Sequence, residues 1–342
     1  MLNHILKRLL LSVITILIIL AVSYLLLRLA PGDPTRSSFL GENAETNSGL
    51  NAEKGISNKN RSIEEALHLD KPIYLGFLYW LESSFLYGDF GRSISVDKGK
   101  EVFTVIFDRI PVTLTLNLWA ILITYAIAIP IGVFSAVTKR KKSDKLITFF
   151  LFFLYSLPVF WVTLLLQAFL CKGGLFPIFP LKGIFVNISD GMSTWSIVGN
   201  LAMHYVLPVI CLSYAGFAGL SRYCKESMSD VINRDYIRTA RAKGLSENQV
   251  IYKHALKNAM ITLITLFAEL IPGLIAGSII VEYIFNIPGI GELSMLALSS
   301  RDIPVLMGLF MINSILTLLG ILIADILYTL ADPRINFNAR IA

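Results

Sequence analysis

The chain has 342 residues, of which 55% are hydrophobic and only 16% charged, with a mean hydropathy of +0.66 and a formal net charge of +6. That balance excludes a water-soluble chain and points to one dissolved in lipid. Three cysteines, Cys171, Cys211 and Cys224, are odd in number and widely spaced, so neither a disulfide framework nor a metal site is implied.

Six apolar runs are long enough to cross about 30 Å of hydrocarbon as helices: Leu9–Leu27, Leu114–Val137, Leu146–Leu170, Ile197–Leu220, Ala259–Val281 and Pro304–Ala324. They lack the alternation of barrel strands and run for about twice a strand's length. The expected fold class is therefore an all-α integral membrane protein with six transmembrane helices. Lys7 and Arg8 precede the first run, and "LRLAPGDP" after it has no small-x-small cleavage site, which predicts a retained signal anchor.

Between the first two runs, residues 30–111 carry nine basic and twelve acidic residues and are too polar to enter the bilayer. Their Asn-rich part, residues 41–62, has too little apolar surface to fold alone. The following "KPIYLGFLYWLESSFLYGDF" puts Tyr74, Phe77, Leu78, Leu81 and Phe85 at helical spacing. That helix either lies at the water–lipid boundary, which suits its aromatics, or forms the core of a small outer domain.

Pro130, Pro158, Pro208 and Pro272 fall one in each of runs two to five, and each removes a backbone hydrogen bond that a neighbour must replace. Gly273 and Gly277 stand at small-xxx-small spacing, which permits close approach of another helix. Glu269 is the acid inside the fifth run. It is a candidate ion-coupling carboxylate for a gradient-driven secondary transporter, or a group attracting the amino terminus of a transported peptide. Asp325 lies near a helix end, where water or Arg334 can satisfy it. His204, Asn117, Gln167 and Asn313 read as interhelical hydrogen-bond partners.

Basic residues resist translocation. "TKRKKSDK" holds five and Ser221–Lys257 eight, against two in Cys171–Val198 and one in Asn286–Ile303. Both termini and both basic stretches are thus expected in the cytoplasm, and the net charge needs no nucleic acid to explain it. The predicted organisation is a tail and first helix (1–29), an extracytoplasmic segment (30–111) and a five-helix core (112–342) with a cytoplasmic loop at 221–257.

Within that loop, "MSDVINRDYIRTARAK" predicts one helix, capped at Ser229 or Asp230 and closed by Gly244 in the left-handed conformation. Ser246 and Gln249 match a capping box, and Leu245 and Val250 a hydrophobic staple, so a second helix follows at once. The result is a rigid elbow. Thr239, Ala240, Ala242 and Gly244 give it a low profile, while Arg234, Arg238 and Arg241 recur at three and four residues and can fork carboxylates. This suits a knob for a protein partner. Contact with anionic lipid headgroups is the competing reading, and a DNA-binding helix-turn-helix is excluded for want of an independent core.

The loop "DYIRTARAKGLSENQVIYKHALKNA" resembles that of ABC importer permeases of the oligopeptide/dipeptide type, specifically the B-type (OppB/DppB-like) member of their permease pair. "LLRLAPGDP", "LDKPIYLGFLYWL", "YGDFGRSI", "SLPVFW", "VEYIFNIPGIGEL", "RDIPVLMG" and "DILYTLADPRI" are similar to that family's landmarks, in order. Importer permeases generally carry Glu-Ala-Ala four residues before a glycine; aligned on Gly244, this chain has Arg238, Thr239 and Ala240, without the glutamate. The resemblance implies the type I importer permease fold and a peptide substrate, nickel or metal chelates and some sugars being the alternatives. It implies that Asp235, Tyr236, Arg238, Thr239, Ala240, Arg241, Ala242, Lys243 and Gly244 form a coupling helix that docks on a cytoplasmic ATPase. The implied partners are two ABC ATPase subunits, which use ATP and Mg, a second (C-type) permease subunit, an extracytoplasmic solute-binding protein and membrane lipid. The implied location is a bacterial or archaeal cytoplasmic membrane, and the chain itself is expected to bind no cofactor. It also lacks G-x-x-x-x-G-K-[ST], H-E-x-x-H and G-x-S-x-G, so no phosphate loop, zinc protease or serine hydrolase motif is present.

Overall fold

The computed structural model describes residues 2–30, 68, 70–138, 141–184, 193–270 and 273–331. The Asn-rich stretch 41–62, Pro272 and Arg334 lie outside the described residues, as do the side chains of Glu269 and Asp325. Among the described residues there is no strand, and β-structure is confined to two isolated bridges, Arg92 with Glu101 and Cys171 with Phe179.

The helices are α1 (Leu2–Leu29), α2 (Ile73–Leu86), α3 (Val102–Phe107), α4 (Ile110–Val137), α5 (Lys142–Ser156), α6 (Val159–Leu170), α7 (Thr194–Ile232) and α8 (Asp235–Ala242). A π-helical segment, Gln249–Leu256, then leads into α9 (Lys257–Leu270), α10 (Gly273–Ala276), α11 (Ile279–Phe285), α12 (Ile290–Ser300) and α13 (Ile303–Ala331). Four stretches are long and apolar enough to span a bilayer: Leu10–Leu29, Val102–Val137, Thr194–Ile232 and Ile303–Ile323. Two broken pairs, α5 with α6 and α11 with α12, raise the number to as many as six.

The third expected crossing is not merely kinked. Proline disfavours the helical region for the residue before it, so Leu157 is extended at φ −78°, ψ 124°, and α5 and α6 meet at 91°. The carbonyl of Leu157, freed by the break, accepts from Tyr214 Oη of α7 at 2.7 Å. The fifth expected crossing is broken as well: α9, α10 and α11 replace one continuous helix. Gly277 takes φ +72° at the α10–α11 break, and a Cβ on it would lie 2.8 Å from the Gly291 nitrogen of α12 and 3.3 Å from Thr113 of α4, whereas a Cβ on Gly273 would meet no atom within 4 Å among the described residues. The close approach expected of these two glycines is therefore seen at Gly277 and not at Gly273.

The chain divides into two compact units, 1–111 with 293–318, and 112–292 with 319–342. In the first, Leu20 and Tyr24 of α1 bury with Ile303, Met307 and Met311, and Phe77 and Trp80 pack against that cluster. An aromatic row, Tyr24, Phe77, Trp80, Phe90, Phe103 and Phe107, continues it with ring centroids 4.2–6.4 Å apart. In the second unit α7 packs against α5, α6, α9 and α11. It approaches α4 closely at Gly132, where a Cβ would lie 2.5 Å from that of Cys224. The three cysteines are buried and free.

Candidate coupling site

α7 does not stop where its apolar run ends. It continues to Ile232, burying Cys224 and Met228, and Lys225 meets the buried carboxylate of Asp144 on α5 at 2.5 Å. The helix expected across Met228–Lys243 is consequently two helices. Asn233 ends the first, Arg234 turns extended (φ −74°, ψ 150°), and α8 starts at Asp235. Ser229 and Asp230 therefore lie inside α7 rather than capping a new helix.

α8 is rooted on one side. Ile237 is fully buried and Ala240 is 7% exposed, in a cluster with Val133 and Ala136 of α4, Leu220, Cys224 and Met228 of α7, and Val250, Ala255, Ala259 and Leu263. Its other side is open: Asp235, Tyr236, Arg238, Thr239, Arg241, Ala242, Lys243 and Gly244 are all exposed. The small residues thus divide, Ala240 filling the core of this chain and Thr239 and Ala242 remaining available to a partner. The spacing of Ile237, the one bulky aliphatic residue of α8, to Ala240 carried that signal.

Gly244 closes the helix at φ +77°, a conformation costly for any residue with a Cβ, and its N–H donates to the Arg241 carbonyl at 2.9 Å. The Arg241 guanidinium forks the Glu247 carboxylate, Nε to Oε1 at 2.7 Å and Nη2 to Oε2 at 3.3 Å. This arginine braces the two arms of the elbow, whereas the sequence offered it to a partner's carboxylate. Arg238 pairs with Asp235 at 3.3 Å on the exposed face, where such a pair contributes little. Val250 is buried but Leu245 stays exposed, so the fork is the bond seen bridging the elbow rather than the expected staple. The wide turns of the π-helical segment then carry the chain into α9.

Two buried acids not singled out from the sequence organise turns elsewhere. Glu282, fully buried on α11, accepts from the N–H groups of Ser278 (3.0 Å), Gly291 (2.7 Å) and Glu292 (3.4 Å), and from Thr113 Oγ1 of α4 at 3.3 Å. Thr113 Oγ1 in turn accepts from the Ile290 N–H at 2.8 Å. A Cβ at Gly289 would collide with both side chains. In the other unit, Asp302 Oδ2 accepts from Ser93 Oγ (2.6 Å) and from the N–H groups of Ile94, Ser95 and Val96 (2.9–3.1 Å). Its Oδ1 caps α13 through the Val305 N–H at 3.4 Å. The available signal was an acid near a Gly or Pro turn, in "EYIFNIPGIG" and "RDIP".

The polar residues expected to bond between helices mostly bond to loosened backbone. Asn117 donates to the Leu274 carbonyl (2.7 Å), Gln167 to that of Ile284 (3.1 Å), and His204 Nδ1 lies 2.6 Å from the Gly183 carbonyl. Asn313 lies within α13. Glu269 falls within α9. No group of three or more potential metal ligands occurs among the described residues.

Apolar helices with backbone breaks satisfied from within, and an exposed elbow anchored in the core, define a multi-pass helical membrane component. Residues 128–337 match the family of binding-protein-dependent transport system inner membrane components, and residues 1–117 match its N-terminal membrane component family. The chain belongs to this family. It is similar to the oligopeptide transport system permease protein AppB of Bacillus subtilis, 39% identical over 98% of this chain and 99% of the relative. The dipeptide transport system permease protein DppB of the same organism is 31% identical over 99% and 100%, and the oligopeptide transport system permease protein OppB of Haemophilus influenzae is 31% identical over 98% and 100%.

Proposed function

We propose that this chain is the B-type permease subunit of an ATP-driven importer of peptides. It crosses the cytoplasmic membrane six times, with both termini and both basic stretches inside. A second permease subunit completes the path, a solute-binding protein delivers the peptide from outside, and two partner ATPases supply the force. The named relatives support the substrate class, and the charge asymmetry of the loops supports the orientation.

One observation carries the coupling role: α8 is rooted through Ile237 and Ala240 and bare on its opposite face. A helix held this way transmits displacement instead of absorbing it. An ATPase seated on Tyr236, Arg238, Thr239, Ala242 and Lys243 moves α8. The Arg241–Glu247 fork across Gly244 passes the motion to the π-helical segment, and the cluster of Val250, Ala255, Ala259 and Leu263 passes it to α9.

The test separates docking from folding. Thr239→Glu and Ala242→Glu, on the open face, change stability by about 0.5 kcal/mol or less and are expected to abolish co-purification of the ATPases and ATP-dependent peptide uptake. Ala240→Glu, which buries an unpaired carboxylate, is expected to unfold the elbow itself. Full ATPase association in both open-face variants would sink the proposal.

A further inference from the structure

We propose that the exposed face of α2 is a lipid-contacting surface, seated at the boundary of headgroups and acyl chains at the C-terminal end of α1. The inner face of α2 fixes its level. Phe77 packs on Tyr24 with ring centroids 5.7 Å apart, Gly76 abuts the Tyr24 hydroxyl, and Arg28 Nη2 donates to the Lys71 carbonyl at 2.8 Å. Tyr24 and Arg28 belong to the last turns of Leu10–Leu29, a stretch long and apolar enough to span a bilayer. Tyr24 stands five residues before Leu29, about 7–8 Å along the helix axis at about 1.5 Å per residue. An interfacial helix sinks its apolar face about 5–10 Å below the headgroups. The first half of α2 is therefore held at the depth such a helix adopts.

The outer face has the matching chemistry. At about 100° per residue, Tyr74, Leu78, Leu81 and Phe85 form one stripe, and Tyr74, Leu78 and Phe85 are 67%, 55% and 56% exposed. Beside it runs a polar flank: Glu82, the one charge of α2, and Tyr79, whose ring lies 4.0 Å beneath the Lys71 ammonium. A surface split into an apolar aromatic stripe and a charged flank suits a bilayer boundary, where one side meets acyl chains and the other water. A buried protein interface would have to desolvate Glu82, and a fully aqueous helix would leave the stripe in water. Of the two placements open from the sequence, the boundary helix is the one this geometry favours.

Nitroxide labels placed singly at Tyr74→Cys, Leu78→Cys, Phe85→Cys and Glu82→Cys test this in the assembled transporter, reconstituted in phosphatidylethanolamine/phosphatidylglycerol vesicles. The native cysteines are buried and stay in place. All four sites are exposed, so any one label that perturbs folding leaves the others to decide. Collision rates are read with oxygen, which concentrates in acyl chains, and with a nickel chelate confined to water. The expected result is an oxygen-to-nickel ratio higher at positions 74, 78 and 85 than at position 82. Water-like ratios at all four positions would overturn the proposal, as would exclusion of both reagents from the stripe, which would put a protein partner there instead.

Discussion

Replacing Glu282 tests whether one buried carboxylate holds the turn between α11 and α12. Its Oε1 accepts from the Ser278 N–H at 3.0 Å and its Oε2 from the Gly291 N–H at 2.7 Å. Glutamine is therefore a poor substitute, because whichever way the amide is set its NH2 faces a backbone N–H. Leaving one buried donor unpaired costs about 1–3 kcal/mol, which raises the opening of the turn about 5- to 150-fold. Glu282→Ala removes the acceptor of three N–H groups and leaves a void, a loss on the order of 5 kcal/mol. Thr113→Val removes the hydroxyl that bonds both the Ile290 N–H and the Glu282 carboxylate, for about 1–3 kcal/mol, whereas Thr113→Ser keeps the hydroxyl and is expected to behave as wild type. Hydrogen exchange of the peptide covering residues 277–292 in the purified complex reads these openings directly. Wild-type protection in Glu282→Gln and Thr113→Val would refute the assignment, and so would equal loss in Thr113→Ser and Thr113→Val.

Asp302 gives the opposite contrast. Its four donors from Ser93–Val96 converge on Oδ2, while Oδ1 receives the Val305 N–H at 3.4 Å. An asparagine at this position can set its carbonyl oxygen where Oδ2 stands, so Asp302→Asn is expected to lose about 1 kcal/mol while Asp302→Ala loses about 3 kcal/mol or more; thermal unfolding of the complex compares them, and equal losses would contradict the geometry. For the elbow, Arg241→Ala and Glu247→Ala are each expected to halve peptide uptake or worse. Because they remove the same fork, their double variant is expected to do no further harm; an additive double variant would show that the two residues act separately.

What the sequence showed of this molecule follows from the range of each interaction. Apolar runs are local, and they located the first and last spanning stretches, Leu10–Leu29 and Ile303–Ile323, to within two residues, though the helices themselves extend beyond them. Gly244 is local too, since its left-handed φ answers to its own missing Cβ. The inward face of α8 was half legible: Ile237 and Ala240 marked it by their spacing, but the small size of Ala240 also fitted a docking surface, and only the packing of Val133, Met228 and Val250 around it decides. The hubs at Glu282 and Asp302 had no local signature of this kind. The expected fifth run ended at Val281, one residue short of Glu282, and Asp302 binds a loop 209 positions earlier in the chain at Ser93.

A physical rule connects the features that periodicity missed. In lipid, an unpaired backbone group costs several kcal/mol, so a helix can break only where a side chain takes over its bonds. Tyr214 does this for the Leu157 carbonyl, Asn117 for Leu274, Gln167 for Ile284, and Glu282 for the amides of Ser278 and Gly291. Proline and glycine in the sequence announced that something would yield in these runs. Whether the helix bends or breaks depends on a polar partner on another segment. Pro130 and Pro208 sit inside continuous helices, while at Pro158 the chain turns by 91° with Tyr214 in place to receive it. Removing that hydroxyl, rather than the proline, is accordingly the change that leaves the break unsupported.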